Sequence, residues 1–235
     1  MSKILMAAAA GLVMVSATQA QKKETIEGNG KIVTREVKVT PFSSLKASGV
    51  YELKLSQGSS EAVKIEADEN LQDLFQVHND GDKLVIEMKK MENKNMNFKT
   101  KLKVYVTFKN LKEMELSTVG NVASDEQLSF DDLDLKNKSV GNVDLKLTAS
   151  KIDIKNSSVG NVHLSGKAEN AVVKNSGVGS IEAGNFVVQT MNIENTGVGH
   201  AEVNAAKDLK VKDSFLGKVR NKGAAATKRM NTVKV

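Results

Sequence analysis

Acidic and basic side chains that could do chemistry recur in this 235-residue sequence at intervals close to nineteen residues. One set reads Asp134, Asp153, Val172, Asn192, Lys210, and a second reads Asp144, His163, Glu182, Glu202, Arg220. If equivalent positions lie side by side, Asp134 meets Asp153 and Glu182 meets Glu202. Paired carboxylates suit general acid and base work on a glycosidic bond, or Ca²⁺ binding. A third set, Glu115, Lys136, Lys155, Lys174, Glu194, Lys212, would line up Lys136, Lys155, Lys174 and Lys212 as a stripe able to hold an anion. Stacked like charges repel unless neighbouring aspartates or a bound anion offset them. Each set also has a plainer reading, and it is the preferred one: carboxylates on a solvated face, and lysines that keep an exposed sheet soluble.

Composition removes several other chemistries. The sequence has no cysteine, which excludes disulfides, thiol nucleophiles and a lipid attached through cysteine. It has no tryptophan, and both tyrosines, Tyr51 and Tyr105, precede the recurring sets, so sugar stacking has little support there. His78, His163 and His200 are scattered, and no spacing fits a zinc site. No arginine lies between Arg35 and Arg220, where a polysaccharide-acting site would use one. Neither a catalytic residue nor a cofactor or metal site is assigned.

The element that must position these side chains is a repeat. A phrase clearest as Ser139-Val140-Gly141-Asn142-Val143 and Ser158-Val159-Gly160-Asn161-Val162 returns six times, centred on Gly120, Gly141, Gly160, Gly179, Gly199 and Gly217. Around each glycine, apolar residues alternate, as in Ile152, Ile154 and then Val162, Leu164, which is the strand period. Each unit reads as two short strands and two turns, with Asn137, Asn156, Asn175, Asn195 or Asp213 four residues before the glycine. A unit of this size cannot bury its own apolar stripe, so the units must stack. The fold expected is all-β: a parallel β-solenoid of about six coils of about nineteen residues, a rod of roughly 25 to 30 Å at 4.8 Å per coil. The glycines then form a ladder of tight corners. The asparagines form a ladder of stacked amides.

Before the repeat comes an irregular β region with one short helix over Asp68–Phe75, where an acidic start precedes Leu71 and Leu74. Strands are expected at Phe42–Ala47, Val50–Leu55, Ala62–Ala67, Lys83–Met88 and Lys101–Phe108, and Met91–Lys99 reads as an exposed polar loop. Lys3, the apolar run Ile4–Val15 and Ala20 after small residues make residues 1–20 a signal peptide. The divisions are therefore 1–20 signal, 21–40 lead-in, 41–112 N-terminal β region, 113–220 solenoid and 221–235 basic tail. Lead-in residues Lys31–Val39 alternate and read as an edge strand.

The net charge is +6, or +5 without Lys3, and six positive charges lie between Lys218 and Val235 with no acidic residue. The remaining mature chain is thus about −1. That tail reads first as a solvated, frayed terminus and second as a contact for anionic headgroups or glycan. Export and the lack of any recognition motif exclude nucleic acid as a partner.

Phe42-Ser43-Ser44-Leu45-Lys46-Ala47-Ser48-Gly49-Val50, then Val63 to Leu71, then Gly81-Asp82-Lys83-Leu84-Val85-Ile86, followed by the glycine-centred repeats, resemble the bacterial GIN-domain family labelled "putative auto-transporter adhesin" head domains, over about Phe42 to Val219. The resemblance implies an exported, mostly β protein of the Bacteroidetes envelope with solenoid-like stacking and no established enzymatic activity. Only about fifteen residues follow the last coil, too few for a translocator barrel, so self-secretion to the surface is not expected. The function expected is that of an envelope or adhesin-like protein, periplasmic or on the cell surface and not integral to the membrane. Its partner is unassigned, an anionic envelope glycan or another surface protein being the candidates. The alternatives are a polysaccharide-acting β-helix enzyme, marked by three or more convergent carboxylate and basic groups in one groove, and a periplasmic binding or sensing module.

Overall fold

The structure, a computed structural model, describes residues 24–89, 94–97 and 102–230. The signal peptide read at 1–20 lies outside them. Strands Leu128–Asn137, Val143–Asn156, Val162–Asn175, Ile181–Asn195 and Ala201–Asp213 stack in parallel, in chain order, as a solenoid of about six turns. Equivalent residues pair across coils: Val143 with Val162, Val162 with Ile181, Ile181 with Ala201.

Each coil differs from the expected pair of strands joined by two turns. One long strand wraps most of the way round, and only the glycine corner interrupts it. In Val143–Asn156 the buried side chains are Val143, Leu145, Leu147 and Ala149, then Ile152, Ile154 and Asn156. Ser150 and Lys151 both face solvent, and the pairing skips from Ala149–Ala168 to Lys151–Asn170. A one-residue slip of the two-residue period turns the strand without any glycine or proline.

At the glycine corner, Gly120, Gly141, Gly160, Gly179 and Gly199 have φ between +128° and +144°. A Cβ on Gly160 would overlap the carbonyl of Gly141 in the coil beneath, so two independent constraints select glycine. Gly217 departs from this ladder and does not share the positive φ. The other corner glycines donate N–H to a carbonyl of the next coil, as Gly160 does to Val178 O (2.9 Å). Among the described residues no further corner of this ladder lies above Gly217, and its N–H turns instead to Ser214 Oγ (3.0 Å).

The parallel stack continues below the first glycine. Glu113–Val119 lies on Ser44–Val50, which lies on Lys83–Met88; Val122–Ser124 lies on Glu52–Gln57, which lies on Lys103–Phe108. The region before Glu113 therefore supplies two more parallel rungs, and they occur in the stack in reverse of chain order. Antiparallel strands finish this end: Ile32–Val37 on Ala62–Asp68, which pairs with Lys103–Phe108, and Phe75–Asp80 on Lys83–Met88. The expected short helix is a 3₁₀ segment, Glu69–Leu74, burying Leu71 and Leu74. One continuous apolar core runs from Phe42 to Ala225.

Two further expectations give way. Within the polar stretch read as a loop, Lys94–Asn97 is a strand paired in parallel with Glu24–Glu27. The basic C-terminal segment is not frayed as far as it is described. Val219–Asn221 and Thr227–Arg229 pair in parallel with Ala201–Asp213 and form the last rung. Its cations are held by acidic groups of the coil beneath: Lys222 by Glu202 (2.9 Å), Lys228 by Asp208 (2.6 Å), and Arg229 by Asp213.

Candidate functional site

Because the strands pair in parallel, outward positions away from the register slips become columns along the rod. Lys136, Lys155, Lys174, Glu194 and Lys212 form one, with Glu115 below. The lysines are not a bare stripe. Lys136 Nζ lies 2.6 Å from Glu113 and 3.4 Å from Glu115, Lys155 lies 3.6 Å from Asp134, and Lys212 lies 2.7 Å from Glu194. The hydrogen bond from Lys136 holds the Glu113 carboxyl below its usual value, and the same bond raises Lys136. Lys155, Lys174 and Glu194 border an open depression of about 270 Å³ with Asn156, Asn175 and Ser176.

The asparagine column lies inside. Asn137 Nδ2 donates to Asn156 Oδ1 (2.8 Å), Asn156 to Asn175 (2.8 Å) and Asn175 to Asn195 (2.7 Å), all buried. The oxygens also accept from the turn, Asn137 Oδ1 from the Ser139 N–H and hydroxyl. These amides therefore hold the corner together from within. Asp213 continues the column at its C-terminal end.

The second outward column runs Asp144, His163, Glu182, Glu202 and Arg220, and its first four members border an open groove of about 440 Å³ together with Lys222. The groove sits where the stacking register slips between His163 and Ser165. Strand Ile181–Asn195 is one residue longer than Val162–Asn175 beneath it. Sequence spacing carried that signal, since Gly179 and Gly199 are 20 apart where the two preceding intervals are 19. His163 Nδ1 lies 3.1 Å from Glu182. The hydrogen bond from Lys222 holds the Glu202 carboxyl below its usual value, the opposite of what a general acid requires. Among the described residues, no group of three or more His, Cys, Asp or Glu could hold a metal ion.

The reading of motifs alone missed a fourth column. Val119, Val140, Val159, Val178 and Val198 bridge one another in sequence along the corner, and each is about half exposed (48–52%). These aliphatics point outward, because the residue before each of them, Thr118, Ser139 or Ser158 in the first three coils, faces in. The signal was available: valine precedes five of the six central glycines, and Leu216 precedes the sixth.

A family model described as "Putative auto-transporter adhesin, head GIN domain" matches residues 41–225. The crystal structure of a "putative adhesin" from Bacteroides fragilis is 29% identical with a TM-score of 0.74, covering 87% of this chain and 100% of that one. A "putative adhesin" from Parabacteroides distasonis is 22% identical with a TM-score of 0.65, covering 90% and 98%. One from Parabacteroides merdae is 23% identical with a TM-score of 0.60, covering 88% and 95%. At these last two identities the likeness is one of fold. No curated protein matches the sequence, and among the described residues no helix is long and apolar enough to cross a membrane.

Proposed function

Since the chain belongs to the GIN-domain family described as "putative auto-transporter adhesin", we propose that it is an exported, non-enzymatic envelope protein that binds through the outer columns of its rod. The observation that supports this reading most is the parallel pairing that keeps Val143, Val162, Ile181 and Ala201, and again Ile154, Val173, Ile193 and Val211, in line, and so displays equivalent outward positions of successive coils side by side. Such a surface engages a long or repeating partner at many weak points rather than enclosing a small one. The mixed Lys, Glu and Asp columns favour an anionic envelope glycan reached by displacing internal ion pairs. Export rests on residues 1–20, and fractionation with N-terminal sequencing of the mature product is expected to find a chain beginning at Gln21 outside the cytoplasm.

The binding test is retention of the purified protein on envelope fractions and anionic glycan. Lys155→Gln with Lys174→Gln is expected to lower retention and flatten its salt dependence. Unchanged retention would remove the lysine column from the reading. A second reading, a polysaccharide-acting enzyme, is favoured by the groove that brings Asp144, His163, Glu182, Glu202 and Lys222 together. It requires reducing-end release that Glu182→Gln and Glu202→Gln abolish.

A further inference from the structure

We infer that the exposed valine ridge is the seat of a second copy of this chain, two rods lying side by side with their ridges in contact. Val119, Val140, Val159, Val178 and Val198 form one straight apolar line, and Leu216 extends it, since its carbonyl accepts the Gly199 N–H (3.3 Å) as Val198 O accepts that of Gly179 (2.9 Å). At the same end stands Phe215, 84% exposed, beside Leu216 at 61%. The valines and Leu216 leave on the order of 500 Å² of surface in one strip, within the upper range of what a monomer ordinarily carries. A typical interface buries about 800 Å² per partner, somewhat more than half of it apolar. The ridge and a polar margin therefore match what one stable, two-fold contact needs.

Charge points the same way. The chain is 26% charged, yet the positions two residues before and after the ridge residues from Val119 to Leu216 are Ser, Thr and Asn, apart from His200 and from Lys138 and Lys218 toward the two ends. Depletion of charge at the centre of a patch is the compositional mark of an interface. The margin is also rigid. Asn121, Asn142 and Asn161 each accept, through Oδ1, the backbone N–H of the following coil (2.9 to 3.0 Å). Valine has a single stiff side-chain torsion, so burying the ridge costs little conformational freedom.

A second copy is the occupant because of the spacing. The ridge presents a methyl-rich step at every coil, about 4.8 Å apart, and another such ridge has the same pitch along its whole length. Valines of one rod settle between valines of the other at every step. Such a contact is isologous and closes at two copies. An antiparallel arrangement also keeps Lys138 of one rod away from Lys138 of the other. The inference does not depend on which envelope component the rod binds.

The test uses the mature full-length protein. Sedimentation and light scattering from about 1 to about 100 µM are expected to show a dimer. Val159→Asp with Val178→Asp is expected to weaken self-association at least tenfold while leaving the circular dichroism and melting temperature unchanged, because both positions are exposed. The chain has no cysteine, so Val159→Cys and Val178→Cys proteins, mixed and oxidised, are expected to cross-link, and Lys151→Cys, on the opposite corner, is not. A monomer across the whole range overturns the inference. So does a monomer whose ridge takes up an apolar dye, or cross-linking no faster at Val159 and Val178 than at Lys151.

Discussion

In the middle of the rod one inward corner position is asparagine in every coil, from Asn137 to Asn195, and the two ends replace it in opposite ways. Toward the N-terminal end the same position is Leu116, then Ala47, then Ile86, all buried. The stack there is finished by antiparallel strands and the Leu71, Leu74 and Phe75 side chains. Toward the C-terminal end the position is Asp213, whose carboxylate accepts from the Val219 N–H (3.2 Å) and from Arg229. Leu209 and Val211 lie beneath the Thr227–Arg229 strand. An amide passes a hydrogen bond on, since it both donates and accepts; a carboxylate only accepts. Asparagine can therefore repeat without limit, leucine ends the ladder by asking for nothing, and aspartate ends it only if a cation arrives from outside the repeat. One end is closed by apolar area, and the other by charge.

The largest effect should come from removing the charged closure. Truncation before Val219 uncovers Ala201, Val203, Leu209 and Val211 and strips Asp213 of both its cation and the Val219 N–H. A loss of at least about 5 kcal/mol, read as aggregation or a collapse of the melting temperature, is expected from the area and the stranded charge together. A frayed tail would come off with no change in melting, so an unaltered melt would refute the C-terminal rung. Gly160→Ala comes next. It places a Cβ against Gly141 at a φ of +133°, and about 3 kcal/mol or more is expected from the backbone and the overlap. Denaturant unfolding measures it, and a cost under about 1 kcal/mol would mean the corner relaxes freely.

Those two variants also mark where the sequence was readable. The glycine interval and the two-residue alternation express what stacking demands of every coil, so the parallel solenoid and its columns follow from positions such as Gly141, Asn156 and Lys155. The N-terminal rungs carry no such signature. Tyr51 stands where the next corner glycine would be, since a Cβ on Gly120 would meet the Tyr51 carbonyl. The strands of these rungs also enter the stack out of chain order, which no local pattern encodes. The tail hid for a different reason. Lys222, Lys228 and Arg229 look solvated until Glu202, Asp208 and Asp213 are seen beneath them, and those contacts span 16 to 20 residues. The valine ridge was visible as a pattern but not as a surface, because alternation alone does not say which way a residue beside a corner glycine faces.

Interrupting the amide ladder should cost less than interrupting its backbone. Asn156→Leu copies Leu116 into a coil whose neighbours are amides, leaving Asn137 Nδ2 and the Ser158 hydroxyl without their acceptor, while Asn175 Oδ1 keeps only the Gly177 N–H. About 2 to 4 kcal/mol is expected from two stranded polar groups. A neutral result would show that the ladder is dispensable and that the two ends need no special closure.

Arg229→Met tests the charged end more gently, by about 1 to 2 kcal/mol, because Asp213 keeps its Val219 N–H while losing a half-exposed partner. Burial alone would raise the Asp213 carboxyl, but the hydrogen bonds from Arg229 and Val219 overcome it and hold the group below the ordinary value of 3.8. A depressed carboxyl stabilises the fold above that ordinary value, and the contribution is lost as pH falls through the folded one. In Arg229→Met burial prevails, so acid unfolding of the last rung should begin at higher pH. An acid midpoint that does not move would show that Asp213 is not what closes this end.

The smallest expected effect lies at the first coil and has the opposite sign. Thr118 is fully buried in the position that Ser139 and Ser158 occupy higher up, and its hydroxyl has no partner. Ser139 and Ser158 donate to Asn137 (2.6 Å) and Asn156 (2.9 Å), two residues earlier in their own turns; two residues before Thr118 stands Leu116. The apolar replacement that ends the ladder thus strands the hydroxyl that an asparagine would have satisfied. Thr118→Val keeps the shape and removes the unpaired group, so a gain of about 1 kcal/mol, or about 2 to 4 °C in melting temperature, is expected. Ser139→Ala removes a satisfied hydroxyl from a coil that retains its asparagine and should lose about as much. If both substitutions shift stability in the same direction, the distinction between the leucine-ended and asparagine-bearing coils is not energetic.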